Sequence, residues 1–257
     1  MKNLIGNSQL RINKHLIVVD VEENGKRYSK KIPNTFCIKE LLSDINKKKY
    51  IDYYHEIGGK RRRDTIIEDK IMFVPMAYAF YFYTVNVGQI PSIQTFCNFF
   101  LNSFCEKNGN QYQFKKGYST NDKYLFQKEY LFAKICRAYG SYLREITLLH
   151  QLFQLQDTSE TYKNFDIFYD VQEDICGGSD IIIHGNGKTI GLLITQKSEN
   201  ADIYNKKKRN YRHQYNYDEY IYVKLNEDPT DEYGDALIFQ PIVAEEILQK
   251  ILKICKN

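Results

Sequence analysis

Glycine punctuation between residues 165 and 197 constrains this chain more than any other feature. Three runs, about 165–174 (FDIFYDVQED), 179–184 (SDIIIH) and 188–197 (KTIGLLITQK), are rich in β-branched and aromatic residues. Cys176-Gly177-Gly178 separates the first two and Gly185-Asn186-Gly187 the second two, so the turn residues dictate an antiparallel meander. Before it, from Lys123 to about Phe153, Leu131, Ile135, Ala138, Tyr142, Ile146, Leu149 and Phe153 recur at three- and four-residue spacing, which predicts one long helix buried along a single face. Gly140 weakens that helix slightly. After the meander come a polar, basic helix candidate from Asp202 to Arg212 and a strand from Glu219 to Leu225. An acidic, flexible stretch from Glu227 to Asp235 precedes a last helix, about Ile242 to Ile254.

The first half reads as a separate unit, residues 1–115, with the second occupying 123–257. Residues 9–32 alternate apolar and polar side chains around Asn24-Gly25, which predicts a two-stranded ribbon. IKELLSDI at 38–45 has helical spacing. Asp64-Thr65 can cap a helix carrying Ile66, Ile67, Ile71, Met72, Val74, Met76 and the aromatic run Tyr78 to Tyr83, and Pro75 should kink it or start a second helix. After Asn86-Val87-Gly88-Gln89, Pro91 and Ser92 open another helix with Phe96, Phe99, Phe100 and Phe104 on its apolar face. Two helices about a short turn outline a helix-turn-helix, which can place its second helix in the major groove. A helical hairpin whose Phe and Tyr residues only fill a core fits the same pattern. Residues 106–122 read as a linker or a small β-wing.

Composition narrows the class. With 43% hydrophobic and 26% charged residues the chain is an ordinary globular protein. No stretch approaches the roughly 18 to 20 apolar residues that cross a bilayer, and MKNLIGNSQLRINKH lacks the apolar core of a signal peptide, so a cytoplasmic protein without membrane contact is expected. Six cysteines are scattered with neither a CxxC pair nor a His/Cys cluster and read as free, mostly buried thiols. Residues 1–64 hold 15 Lys/Arg against 8 Asp/Glu. Lys60, Arg61, Arg62 and Arg63 form one basic cluster, and Lys206, Lys207, Lys208, Arg209 and Arg212 another, free of acids from Ile203 onward. Either run can neutralise phosphates, or be a solvated face.

Chemistry concentrates in the meander. Side chains alternate across a strand, so Thr195 and Lys197 share a face that can look at Asp180 at the start of the neighbouring strand, while Gln196 points away. A carboxylate and a lysine on adjacent strands, followed by a basic helix, are parts suited to phosphodiester cleavage: Asp180 to hold a divalent cation, Lys197 to orient water or neutralise the phosphate. Asp180 can instead cap the turn after Gly178, and Lys197 can be a solvent-exposed strand-end lysine. His184 and His213 read as polar surface residues and Ser198 as a helix N-cap.

With GGSDIII, ITQK and the following SENADIYNKKKRNYR in this order, residues 123–225 resemble the restriction-endonuclease-like, or PD-(D/E)xK, nuclease superfamily. The resemblance implies an α/β (α+β) fold with an αβββαβ core, here behind a mainly helical N-terminal domain and its β-hairpin. It places Asp180 at the Asp position, Thr195-Gln196-Lys197 at the (D/E)xK triplet and Glu145, on the long helix, as an added acid, with Mg²⁺ (or Mn²⁺) held by Asp180 and Glu145. Thr195 departs from the pattern. Threonine is a poor metal ligand, so the site must recruit Glu145, Glu173 or Asp174, use the Gln196 carbonyl, or bind metal weakly. The resemblance implies a metal-dependent DNA endonuclease of a restriction, mobile-element or phage-defence system. A catalytically incomplete, nuclease-fold DNA-binding or assembly subunit is the alternative, and a homodimer or partner subunit is compatible with both. A third reading makes the Tyr/Phe-rich helices a partner surface.

Overall fold

Three strands, not two, open the chain: β1 (Leu10–Asn13), β2 (Leu16–Glu23) and β3 (Lys26–Pro33). The Asn13 side chain explains the extra strand, because its Oδ1 accepts the backbone N–H groups of His15 (3.0 Å) and Leu16 (2.7 Å) and turns the chain at Lys14-His15. β2 and β3 pair as far as Glu23 with Lys26, and Asn24-Gly25, where the turn is expected, lies outside the described residues. The computed structural model describes residues 9–23, 26–35, 37–46, 67, 70–174, 178–195, 217–225, 227–234 and 236–256. Both basic runs, Lys60 to Arg63 and Lys206 to Arg212, lie outside them, as do Gln196 and Lys197.

The ribbon does not belong to a 1–115 unit. β1 pairs antiparallel with β6 (Asp166–Asp170), Arg11 facing Asp170 and Ile12 facing Tyr169, so residues 10–33 extend the sheet of the C-terminal half. The chain divides into two compact units: residues 1–8, 43–142 and 233–236 form one, and 9–42, 143–232 and 237–257 the other. The expected boundary near 115 is displaced because backbone pairing, not sequence adjacency, gathers the strands.

The second unit is built on a seven-stranded mixed sheet, in the order β3-β2-β1-β6-β7-β8-β9, with β7 (Ile181–Gly185), β8 (Lys188–Thr195) and β9 (Glu219–Lys224). The meander β6-β7-β8 is antiparallel and β9 runs parallel to β8. Asn186 (φ 49°) and Gly187 (φ 78°) make the two-residue turn between β7 and β8, where both central residues need the left-handed region. β6 stops at Asp170, four residues short of expectation, because Asp170 Oδ1 accepts the N–H of Gln172 (2.8 Å) and starts a helical turn over 171–174. One sheet face is apolar over its central strands: Leu10, Ile12, Ile17, Val19, Ile167, Tyr169, Ile181, Ile183, Ile190, Leu192, Ile221 and Val223 are all buried. Each such aliphatic contributes about 1.5–3 kcal/mol relative to exposure. The stretch expected to be flexible contains a hairpin, β10 (Thr230–Tyr233) and β11 (Ala236–Phe239), whose Ala236, Ile238 and Phe239 are buried. Helix α1 (Ile38–Asn46) follows β3, and the last helix (Pro241–Lys256) buries Val243, Ala244, Ile247, Leu248 and Ile251.

In the first unit, α2 (Met76–Val87) starts directly after Pro75, and α3 (Ile93–Phe104) starts after Ser92, whose hydroxyl caps Thr95 N. A β-hairpin, β4 (Cys105–Asn108) and β5 (Gln111–Phe114), follows at once. Phe80 packs edge-on against Phe96 and Tyr139. The long helix α4 (Lys128–Thr158) begins five residues later than expected, because Phe126 is engaged in a bridge with Tyr112. Leu131, Ile135 and Tyr142 of α4 belong to the first unit, and residues from Leu143 on belong to the second, the unit that contains the meander. Of the described cysteines, all free, Cys97, Cys105 and Cys136 are buried and Cys37 is exposed. No described helix is long and apolar enough to cross a membrane.

Candidate functional site at the β7–β8 junction

The site grows from a close approach of backbone to backbone. Gly178 takes a left-handed φ of 74°, and the chain it turns lays Ser179 against Gly191 in the middle of β8. A Cβ on Gly191 would overlap Ser179 Oγ and stand 3.0 Å from the Tyr220 ring, so this position admits only glycine without a shift. Asp180 then enters the sheet, its N–H donating to Leu192 O at 2.9 Å.

Asp180 is 7% exposed, and its Oδ2 accepts the backbone N–H of Ile194 at 2.6 Å. That bond holds the carboxylate at the end of β8, next to Thr195. Thr195 is half-buried, and its carbonyl accepts Leu225 N from the neighbouring parallel strand at 2.9 Å. Gln196 and Lys197, the other triplet positions, fall outside the described residues. The printed contact of Asp180 with the end of the third strand is the one to Ile194, the residue before Thr195.

Glu145, on α4, is buried, 8% exposed. Two more acids sit on the helical turn after β6. Asp174, buried, accepts a hydrogen bond from the Tyr169 hydroxyl at 3.0 Å. Glu173 Oε2 accepts one from the Tyr217 hydroxyl at 2.7 Å. Burial, the largest influence, raises the Glu173 carboxyl above its ordinary range, and Asp170 adds to this; the Tyr217 hydrogen bond, His184 and Arg11 pull the other way. Burial also pushes the Tyr217 hydroxyl well above its usual range, which keeps it a donor at neutral pH.

Tyr169, the partner of Asp174, lies on the apolar face of the sheet, whereas Arg11 and His184 lie on the opposite one. Arg11 lies with its guanidinium carbon 3.6 Å from the Phe168 ring centroid. His184 stacks at 5.1 Å from the same ring, and its Nδ1 is 2.9 Å from Thr189 Oγ1. His184 is accordingly a half-buried, engaged side chain rather than a surface residue. Arg11 and Tyr217 are the members that sequence reasoning missed. Arg11 reaches the site only through the β1–β6 pairing, and Tyr217 is 44 residues from Glu173, so no local signal connects them.

For a divalent cation, the available donors are hard carboxylate oxygens, the type that Mg²⁺ and Mn²⁺ prefer. Among the described residues no three His, Cys, Asp or Glu side chains converge as a ready metal cage. An ion here would rest on one or two carboxylates and complete its shell with water and phosphate oxygens, as Mg²⁺ commonly does. Comparison with protein-family models, with curated proteins and with solved structures finds no significant match to this chain.

Proposed function

We propose that this chain is a metal-dependent DNA endonuclease on a divergent restriction-endonuclease-like core, serving a restriction, mobile-element or phage-defence system. The observation that carries the reading is the Asp180 carboxylate, held against Ile194 at the end of β8. The order β6-β7-β8-β9, with β7 antiparallel and β9 parallel to β8 and α4 ahead of it, supports an αβββαβ arrangement. A parallel connection needs a crossover, and residues 196–218, between β8 and β9, supply its length.

In this reading Asp180 anchors Mg²⁺ (or Mn²⁺), with Glu145 or Glu173 as the second carboxylate in place of the missing acid at Thr195. The bound ion supplies a polarised water and charge stabilisation at phosphorus. Lys197 neutralises the scissile phosphate, and Lys206, Lys207, Lys208, Arg209 and Arg212, with Lys60 to Arg63, take up the flanking backbone. Tyr217 keeps Glu173 oriented through its hydroxyl.

A second reading, a nuclease-fold DNA-binding or assembly subunit without cleavage, is favoured by Thr195 and by the lack of a three-donor cluster among the described residues. Incubation of supercoiled, linear and single-stranded DNA with Mg²⁺ or Mn²⁺ separates the two. The endonuclease should nick or cut in a metal-dependent way. Asp180→Ala should abolish cutting, Lys197→Ala should slow it strongly, and both should retain binding. If wild type and Thr195→Glu, which restores the acid, leave every substrate intact with either metal, the endonuclease reading is wrong and the binding subunit stands.

A further inference from the structure

The helical unit carries a feature the cleavage chemistry does not use. α2 ends on Gly88 in the left-handed region (φ 73°), whose N–H returns to Thr84 O, and Ser92 caps α3 four residues later. The Tyr139 hydroxyl donates to Pro91 O at 2.6 Å and pins the turn between them. α3 runs straight into the β4–β5 hairpin. The chain beyond that hairpin returns to pair with the segment before α2, through Val74 N to Tyr118 O and Thr120 N to Met72 O, both 2.8 Å. Helix, turn, helix and hairpin are thus tied into one frame.

Within that frame α3 buries Ile93, Phe96, Cys97, Phe100, Leu101 and Phe104 and exposes Gln94, Thr95, Asn98 and Asn102. The exposed row lies on one face, at spacings of three and four, and it holds no charge. In a chain with 26% charged residues that is unusual for a solvated face. Asn and Thr are also poor helix formers, so the row does not serve helix stability. The first two amides are already aligned: Gln94 Nε2 donates to Asn98 Oδ1 at 3.0 Å, and Lys128 Nζ lies 3.3 Å from the same oxygen. Lys115 Nζ instead caps the carbonyls of Asn102 and Ser103 at 2.7 and 3.0 Å, which braces the end of α3.

We infer that α3 reads sequence in the major groove of duplex DNA, with Gln94 and Asn98 as the base-reading residues and the β4–β5 hairpin as a wing along the backbone. A carboxamide presents a donor and an acceptor side by side, the pattern that matches N7 and N6 of adenine. Charge suits the partner, since residues 70–142 hold eight Lys/Arg against three Asp/Glu, with Lys107, Lys116 and Lys123 exposed. Thr95 adds a methyl for thymine contact. The inference shares duplex DNA with the nuclease reading but needs no cleavage.

The test uses the full chain in EDTA, so that no substrate is cut, and a library of random-sequence duplexes. Wild type should enrich a short motif containing adenine at two or more positions. Gln94→Ala/Asn98→Ala, both exposed and favourable to helix, should lose preference at those positions and bind the enriched site about 10- to 100-fold more weakly, while affinity for random duplex stays within about twofold. Asp180→Ala should enrich the same motif as wild type, which separates this outcome from failure of the nuclease reading. No motif from wild type, an unchanged motif from the double variant, or enrichment only from a parallel single-stranded RNA library would each overturn the assignment.

Discussion

Asp180 accepts the backbone N–H of Ile194 at 2.6 Å, so a single carboxylate both completes the β7–β8 junction and carries the charge next to Thr195. Substitution separates the two tasks. Asp180→Asn keeps an oxygen for Ile194 and loses the charge, whereas Asp180→Ala leaves a part-buried N–H without its acceptor. Urea unfolding should place the Asn variant within about 0.5 kcal/mol of wild type and the Ala variant about 1–3 kcal/mol below it. If the chain is the proposed endonuclease, cleavage should vanish in both. Cleavage persisting in Asp180→Asn would show that the charge is dispensable.

Gly191 gives a prediction about packing alone. Gly191→Ala forces a Cβ into Ser179 Oγ and the Tyr220 ring, and should cost about 1–3 kcal/mol. Ser179→Ala in the same chain removes one of the two obstacles and should recover part of the loss. Denaturant midpoints that simply add across the two substitutions would show that Ser179 is not the obstacle.

Glu173 makes stability depend on pH. Its folded pKa is raised above the ordinary 4.5, so the folded state holds the proton more tightly than the unfolded one. The contribution is present below the ordinary value and is lost as pH rises through the raised one. Glu173→Gln keeps an oxygen for the Tyr217 hydroxyl and removes the titration. As pH rises from below the ordinary carboxyl value, the melting temperature of the variant should rise relative to wild type. A difference that stays constant with pH would refute this.

His150 predicts the opposite slope. It is fully buried on α4, with Nδ1 2.8 Å from Ile146 O, and burial lowers its pKa from 6.5 to about 4. The unfolded chain takes up the proton first, so the stabilisation present above pH 6.5 is lost as pH falls towards 4, up to about 3 kcal/mol in all. His150→Leu should flatten this part of the acid limb in urea titrations. An unchanged acid limb would assign the loss to other groups.

Local chemistry made much of this structure legible. Asn186-Gly187, Gly88 and Ser92 mark their turns because each acts within a few residues, and the α4 stripe shows because burial repeats at helical spacing. Asp180 was placed by the glycines before it. What escaped was long-range. The pairing of Arg11 with Asp170 joins residues 159 apart, and alternation alone does not say which strand meets which. The Asn13 turn was hidden because Lys14-His15 carries no glycine or proline. The bond from Tyr217 to Glu173 was invisible for the same reason of distance.

The β1–β6 pairing also sets a timetable for synthesis. Residues 10–33 leave the ribosome as a ribbon with an apolar face and an unclaimed edge, and β6, which claims that edge, follows only after about 130 further residues have been added. At about 5–20 residues per second that is a wait of about 7–26 s. During it the β1 edge that carries Leu10 and Ile12 lacks its partner strand, which leaves the nascent ribbon open to wrong pairing. A chain trimmed to start at residue 34 would be spared the wait but would expose β6 as a raw edge, exchanging a transient liability for a permanent one.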